Sequence, residues 1–523
     1  MIRHVIRHVI RHESQPRNER VHATLLATTK HTLMTHLITT LSLTLLTGLS
    51  SAHAIAQDIP ARPETIVFQP LVFNAPKASD FRHVLSNGVV VFLAPTRELP
   101  LIDLTMSFKG GDYLEPADKV GLAGLTGTML RTGGTESLAP TELDEKLDFL
   151  ATQISIRSRG ANTSASIDCL SANFDESLTL LIDMLRRPRF DAGKQKIAVD
   201  AALESMKQRN DEADSILSRE WAMHLYGVDH FEAREPTEAS IRAITKEDMV
   251  AFASRVFNPG NTIVSVSGDF DSTEMLAKLE RAFANWPLGT RMENPPAPPS
   301  TFAPGVFHVE KEIPQGNVII GTRSLMRDDP DFFASLMMNE ILGGGGFTSR
   351  ITKTVRSDEG LAYSAGSRLN AGVYYPGEFR AAFQSKNATV PLAIKLIENE
   401  FAKIRAEDVS AEELAVAKNS FIETFPRSFE SKPAMLGIFV DDEWTGRDAA
   451  YWQSYRDNIT KVSAADIKRV ANRLLDPKQM AIFVVGDWDT ISVGNARATM
   501  AEVNNDSATQ LPLRDPMTMQ PMP

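Results

Sequence analysis

Residues 121–129 read Gly-Leu-Ala-Gly-Leu-Thr-Gly-Thr-Met, and they follow a strand-like segment at Leu101–Phe108. The chain then continues as Leu-Arg-Thr-Gly-Gly-Thr over residues 130–135. This pattern predicts a helix, in which residues four positions apart share one face. Gly124 and Thr128 have that spacing, and Gly127 lies between them. Two of these three positions therefore present no side chain.

This stretch resembles the insulinase/pitrilysin-like (inverted-zincin) zinc peptidases. The resemblance lies in the Gly-Leu-Ala at the start of the helix and in the Met-Leu and Gly-Thr pairs that follow. In active members this frame holds His-x-x-Glu-His, in which two histidines bind zinc and the Glu activates the zinc-bound water. In this chain Gly124, Gly127 and Thr128 stand at the three chemical positions. Thr is a poor zinc ligand beside His, Cys or a carboxylate. The resemblance therefore implies a member that lacks the zinc motif, and we expect this chain to bind no metal.

The third zinc ligand of active members is a Glu on a later helix, and here a long helical stretch is predicted over about Ala192–Tyr226. Glu204 matches that position as a possible relic of the ligand, and Ser205 matches it equally well by count. The alternative interpretation of Glu204 is an ordinary solvated helix carboxylate. One carboxylate cannot hold a structural zinc ion, which takes four ligands.

Composition sets wide bounds on function. The chain has 523 residues and a net charge of −11, which argues against a nucleic-acid partner. Hydrophobic residues make up 43%, as expected for a globular protein with a sizeable core. Cys169 is the only cysteine, so an internal disulfide and a cysteine metal cluster are both excluded.

The N-terminal region carries the features of an export signal. Residues 37–49 form an apolar core that is too short for a comfortable membrane span, and Lys30 precedes it. Residues 52–54 and 54–56 both fit small-x-small cleavage sites, so the mature chain would begin near Ile55 or Gln57. The alternative is a buried N-terminal helix. We expect an exported, periplasmic protein with no membrane span after signal cleavage.

A pattern of helix, proline break, apolar strand and Gly-Asp occurs twice, at residues 244–271 and 462–489. We infer an internal duplication, whose copies meet at a proline-rich, extended linker near Asn294–Pro304. The predicted divisions are 1–56 for the N-terminal extension and signal peptide, 57–78 for a lead-in strap, 79–290 for a first peptidase-like domain, 291–305 for the linker, 306–500 for a second such domain, and 501–523 for a disordered tail.

The predicted fold class is α+β. Asn87-Gly88 is a tight-turn signal between two strand-like runs, and strands and helices do not alternate strictly. This favours largely antiparallel sheets. The resemblance, which covers roughly residues 80–490, implies two homologous domains. It also implies that each sheet has helices packed on one side and that the domains form a half-shell.

The second copy carries a different chemical signal, Arg356 followed by Gly-Leu-Ala-Tyr at residues 360–363. This resembles the family's Arg…Gly-Leu-Ala-Tyr signature, which implies that Arg356 and Tyr363 lie across a cavity from the zinc and bind the scissile carbonyl. Fixed donors of this kind stabilise a developing oxyanion. The alternative is a surface Arg and a core Tyr. The preceding Gly343–Gly346 run lacks the Gly-Lys-Ser/Thr of a nucleotide loop, which argues against phosphate binding. The resemblance implies a mobile connector there.

Two hypotheses of function follow. In the first, this chain is the non-catalytic subunit of a heteromeric zinc metallopeptidase, inactive alone, with zinc expected in a similar partner subunit. Arg356 and Tyr363 would then act on peptide substrates in trans. In the second, the chain is a peptide-binding or scaffold protein with no proteolytic role. The simultaneous presence of Arg356 and Tyr363 favours the first.

Overall fold

Two six-stranded sheets organise the computed structural model, which describes residues 73–299, 302–504 and 507–522. The predicted signal peptide and most of the predicted lead-in strap lie outside the described residues. The α+β class is confirmed, since each sheet is mixed but mainly antiparallel and each is accompanied by helices. None of the described helices is both long enough and apolar enough to cross a membrane.

The first sheet has the order β1-β2-β6-β3-β5-β4, and its pairs are antiparallel except for β2 with β6. The hairpin predicted around Asn87-Gly88 is confirmed, and Gly88 adopts the left-handed φ of +89° that such turns require. The strands are β1 Arg82–Val84, β2 Val90–Pro95, β3 Leu101–Lys109, β4 Gln153–Arg159, β5 Asn162–Leu170 and β6 Thr262–Gly268.

Eight helices accompany this sheet in the described part of the first half. The long helical stretch predicted over about Ala192–Tyr226 consists of two helices, which a turn at residues 208–212 separates. The helices are α1 Leu122–Thr132, α2 Pro140–Phe149, α3 Phe174–Arg186, α4 Ala192–Lys207, α5 Ala213–Tyr226, α6 Glu238–Arg242, α7 Lys246–Val256 and α8 Ser272–Phe283.

The second sheet has the order β12-β7-β11-β8-β10-β9, with parallel pairs only at β12–β7 and β7–β11. The strands are β7 Gly305–Glu310, β8 Gln315–Arg323, β9 Ala362–Asn370, β10 Glu378–Lys386, β11 Ala481–Gly486 and β12 Thr509–Leu511. The helices are α9 Phe332–Asn339, α10 Val390–Ala406, α11 Ala411–Thr424, α12 Lys432–Thr445, α13 Tyr451–Lys461, α14 Ala464–Leu474, α15 Trp488–Val493 and α16 Met500–Asn504. Two segments are π-helical. The first, Glu340–Gly344, includes the first two glycines of the run Gly343–Gly346, and the second, Thr352–Asp358, follows that run.

The two sheets repeat one topology, as the inferred duplication requires. Strand β6 lies between a parallel neighbour and an antiparallel one, and β11 does the same in the second sheet. The helices that precede these strands begin with the same capping box. Thr245 and Asp248 form it in α7, and Ser463 and Asp466 form it in α14.

The expectation that helices pack on one side of each sheet is corrected by the structure. Helix α5 of the first half packs on the second sheet, where Trp221 lies against Phe483 of β11. Helix α12 of the second half packs in turn on the first sheet, where Phe439 lies against Phe92 of β2. The physical reason is that β2 in the first sheet, and β8 and β11 in the second, carry buried apolar side chains on both faces. Covering the second face with a helix of the other half removes that surface from water.

The predicted disorder of residues 501–523 is also corrected. Strand β12 extends the second sheet by pairing in parallel with β7. Arg514 Nε then donates a 2.9 Å hydrogen bond to the buried Glu220 of α5, and Met519 packs with Met223. Polar composition suggested a solvated tail, but its few apolar side chains and its backbone groups have partners on α5 and β7.

The proline-rich linker has no regular secondary structure in its described residues 291–299 and 302–304. Histidines hold it against the first half. The Nε2 atom of His230 lies 3.0 Å from the carbonyl oxygen of Pro296, and that of His224 lies 2.7 Å from the carbonyl oxygen of Ala303. These two histidines therefore have structural roles.

We predict that Trp221→Ala lowers the free energy of unfolding by about 3–5 kcal/mol, the usual cost of removing a buried Trp. Trp221 is buried and donates a 2.7 Å hydrogen bond to Glu378, so both halves should lose stability in one cooperative transition. Denaturant unfolding followed by circular dichroism measures the change. The control Phe149→Ala removes a ring that is 82% exposed, and it should change stability by less than about 0.5 kcal/mol. Independent unfolding of one half in the Trp221 variant would contradict the prediction.

Candidate functional site

Helix α1 places the three positions of the zinc motif in two different environments. Gly124 and Thr128 are exposed, whereas Gly127 is buried against β4. A Cβ atom on Gly124 would meet no atom within 4 Å, but one on Gly127 would lie 3.3 Å from the backbone nitrogen of Ser158. The Oγ1 atom of Thr128 donates a 3.0 Å hydrogen bond to the carbonyl oxygen of Gly124, so it is engaged within the helix.

These residues do not fit a zinc ion. Gly124 offers no ligand, and Thr128 offers only a hydroxyl that is already hydrogen-bonded. Gly127 packs so closely on β4 that a Glu side chain would require the strand to shift. Across the described residues, no group of three or more His, Cys, Asp or Glu side chains is arranged to hold a metal ion.

Glu204 lies on α4 with its side chain exposed, and it forms a 2.8 Å ion pair with Lys207 one turn further along. Ser205 beside it is exposed as well. This is the geometry of an ordinary surface pair at i, i+3, which contributes little to stability. Neither residue belongs to a group of potential metal ligands among the described residues.

A cavity of about 350 Å³ opens beside Gly124, at the start of α1. Its most buried carboxylate is Glu115, whose side chain is 1% exposed. Glu115 accepts hydrogen bonds from the backbone nitrogens of Gly121 (3.1 Å) and Ala123 (2.7 Å), and so caps the helix. Burial raises the pKa of Glu115 to about 7, although these bonds and the nearby Arg234 oppose the shift. Sequence reasoning missed this residue, because its only local signal is an acidic residue shortly before a helix.

The second half brings Arg356 and Tyr363 together. The Cζ atom of Arg356 lies 4.7 Å from the centre of the Tyr363 ring, which is a cation–π distance. It also lies 4.5 Å from the centre of the Phe347 ring, which belongs to the loop after the glycine run. Tyr363 is 85% exposed and Phe347 is 68% exposed, so neither ring is part of a core. The alternative of a core Tyr is therefore wrong, and Phe347 is a member of this cluster that the sequence did not identify.

Local structure explains how these side chains come to be on the surface. Arg356 lies in the π-helical segment Thr352–Asp358, and such segments are frequent at functional sites. Tyr363 is the second residue of β9, which is the edge strand of its sheet. An edge strand leaves one row of backbone groups unpaired, and an extended peptide can pair with them.

The two clusters remain separate in their contacts. Among the described residues, no hydrogen bond, ion pair or ring contact joins α1 to Arg356 or Tyr363. The fold and site together define a two-domain, peptidase-like protein. Its metal positions carry no ligands, but its second domain presents a half-buried Arg beside an exposed Tyr.

Comparisons with known proteins show which family this chain is similar to. The family model described as the peptidase M16 inactive domain matches residues 243–421. A protein named as a zinc protease in Rickettsia felis is 23% identical over 401 residues, which span 75% of this chain and 93% of that protein. The non-peptidase homolog YmxG of Helicobacter pylori is 24% identical over 401 residues, with 76% and 92% covered.

Solved structures show the same fold. The crystal structure of a peptidase M16 inactive domain from Pseudomonas fluorescens has a TM-score of 0.70 and 23% identity, and the match covers 77% of this chain and 97% of that one. The periplasmic protease PqqL from Escherichia coli has a TM-score of 0.66 and 16% identity, and the match covers 85% of this chain and 50% of that one. The chain is thus similar in sequence and fold to M16 peptidase proteins, and it lacks the His-x-x-Glu-His motif.

The different surroundings of the two glycines in α1 predict opposite responses to a methyl group. Gly124→Ala should raise the free energy of unfolding by about 0.4–1 kcal/mol, because it restricts the unfolded chain and enters open space. Gly127→Ala has the same effect on the unfolded chain, but its Cβ would press on β4, so it should be neutral or destabilising. Denaturant titration of the two variants measures this difference. Equal stabilisation by both would mean that β4 does not pack closely on Gly127.

Proposed function

We propose that this chain is the non-catalytic subunit of a heteromeric M16 zinc metallopeptidase. Arg356 and Tyr363 would contribute to peptide binding and catalysis at a site whose zinc comes from a similar partner subunit. The observation that carries the proposal is the contrast between the two clusters. The zinc-motif positions carry Gly, Gly and Thr, whereas the half-buried Arg356 is in contact with the exposed Tyr363.

The chemical argument concerns charge. A peptide carbonyl under attack becomes an oxyanion, and donors already aimed at it lower the barrier. Arg356 supplies a permanent positive charge with several N–H donors, and Tyr363 supplies a hydroxyl donor. Neither side chain hydrogen-bonds to another described residue, so both are free to meet a substrate.

The relatives support parts of this proposal. One relative is named a zinc protease and another a non-peptidase homolog, so sequences similar to this one are named both as proteases and as non-peptidases. The neighbour from Escherichia coli is named a periplasmic protease, which is consistent with export of this chain. We include a periplasmic location, no metal bound by this chain and peptide substrates in the proposal.

The second candidate is a peptide-binding or scaffold protein with no proteolytic role. The exposed cluster around Arg356 would serve that function too, since a guanidinium and aromatic rings on an edge strand suit peptide binding without cleavage. The two candidates differ in whether a zinc-bearing partner exists.

We therefore predict that the chain purified from its native host carries a similar subunit with His-x-x-Glu-His. Peptide cleavage should require both subunits, and elemental analysis should find stoichiometric zinc in the complex and in the partner but not in this chain after dialysis. The absence of ligands at Gly124, Gly127 and Thr128 is the reason. One tightly held zinc ion per isolated chain, or cleavage by this chain alone, would contradict the proposal.

Within an assembled complex, Arg356→Ala or Tyr363→Phe should lower turnover by about 10²-fold, or roughly 3 kcal/mol, as for the loss of one oxyanion donor. Peptide binding should weaken less, because the lost interaction is made mainly in the transition state. Steady-state kinetics of the reconstituted pair measures both effects. Arg97→Ala is a matched control, because it removes a surface guanidinium that pairs only with Asp269. Unchanged turnover in both test variants would favour the scaffold candidate.

A further inference from the structure

Arg356 is held by two rings that do not touch each other. Its Cζ atom lies 4.5 Å from the centre of the Phe347 ring and 4.7 Å from that of Tyr363. Among the described residues, no ring contact joins Phe347 to Tyr363, so the guanidinium is the element that they share. We call Phe347, Arg356 and Tyr363 the aromatic–arginine slot. Stacking occupies the faces of a guanidinium and leaves its N–H donors, which lie in its plane, available.

A second arginine in the same chain shows what the slot lacks. The Cζ atom of Arg447 lies 4.2 Å from the centre of the Tyr451 ring and 5.2 Å from that of Trp452. Its guanidinium also forms a 2.8 Å ion pair with Asp442. Arg356 has the same arrangement of two rings, but no described residue gives it a carboxylate or any other hydrogen-bond acceptor.

Two of the three acidic residues near the slot are engaged elsewhere. Glu359 accepts two hydrogen bonds from Arg497, at 2.6 and 2.8 Å. Glu400, buried behind the π-helical segment, pairs with Lys403 at 2.7 Å. Asp358 is exposed, and the neighbouring Lys353 is a further positive charge on the same segment. Arg356 is half-buried, and no carboxylate of the described residues forms an ion pair with its guanidinium.

We propose that the aromatic–arginine slot binds a carboxylate of the peptide substrate, either its C-terminal carboxylate or an Asp or Glu side chain. Arg has five N–H donors and binds a carboxylate through two parallel hydrogen bonds, so three donors remain for the carbonyl under attack. Phe347 is the third residue of the site, since its ring shields the guanidinium from water and holds its orientation. This inference rests on the proposed function, because it names the substrate feature that the same arginine selects.

The test uses the purified mature chain and randomised octapeptide pools that carry a dansyl group, which has no carboxylate, at the N-terminus. One pool ends in a free carboxylate and contains no Asp or Glu, a second is its C-terminal amide, and a third is the amide with one fixed Glu. A charge-assisted pair predicts binding roughly 10- to 100-fold tighter for one or both carboxylate pools than for the plain amide. The pool that binds tighter identifies the source of the carboxylate.

Variants connect that preference to the slot. Arg356→Ala should abolish it, and Arg356→Lys should retain only part of it, because Lys keeps the charge but loses the planar pair of donors. Phe347→Ala should reduce the preference several-fold, whereas Phe347→Tyr should retain it. Tyr363→Phe keeps the ring and should also retain the preference, although the proposed function requires it to lose turnover. Arg97→Ala should match the wild type.

The outcomes separate this inference from the proposed function. Equal affinity for the three pools, or a preference that survives Arg356→Ala, would overturn carboxylate recognition. Such a result would leave the kinetic role of Arg356 in a complex open to its own test. Loss of turnover in the Arg356 and Tyr363 variants together with equal affinities would support the subunit role alone.

Discussion

The structure depends on a reciprocal exchange of two helices between its halves. Helix α5 covers the second sheet and α12 covers the first, and each helix brings a buried Trp to the foreign sheet. Trp221 hydrogen-bonds to Glu378 at 2.7 Å, and Trp444 hydrogen-bonds to Ser107 at 3.0 Å. Because β2, β8 and β11 carry buried apolar side chains on both faces, each sheet uses a helix of the other half to cover its second face. The two halves therefore pack as one compact unit.

Further contacts, beyond the two exchanged helices, also join the halves. The C-terminal segment leaves the second sheet at β12 and crosses α5, where Arg514 is bonded to Glu220. The hydroxyl of Tyr375 in the second half donates a 2.9 Å hydrogen bond to Glu232, which lines the cavity beside α1. This bond joins the segment between β9 and β10 in the second half to the cavity of the first half.

The absent zinc motif involves more than absent ligands. At Gly127 the helix has approached β4 so closely that a side chain would meet its backbone, whereas the space beside Gly124 has remained open as part of a cavity. Glu115 caps the helix from within that cavity. The helix is therefore packed and capped as a structural element. Arg356 and Tyr363 lie instead on the π-helical segment and the edge strand of the second half, where Arg356 is half-buried and Tyr363 is exposed.

The sequence by itself determined what depends on residue type and local spacing. It determined that Gly124, Gly127 and Thr128 cannot bind zinc, that a pattern recurs in the two halves, and that Arg356 precedes a family-like Gly-Leu-Ala-Tyr. Only the tertiary structure decided the exchange of α5 and α12, the ordering of the tail and the position of Phe347 against Arg356. Those features join residues that are distant in the chain, such as Trp221 and Glu378, which are 157 positions apart. Local periodicity reports which face of a strand or helix is apolar, but which surface covers that face is fixed only when the whole chain packs.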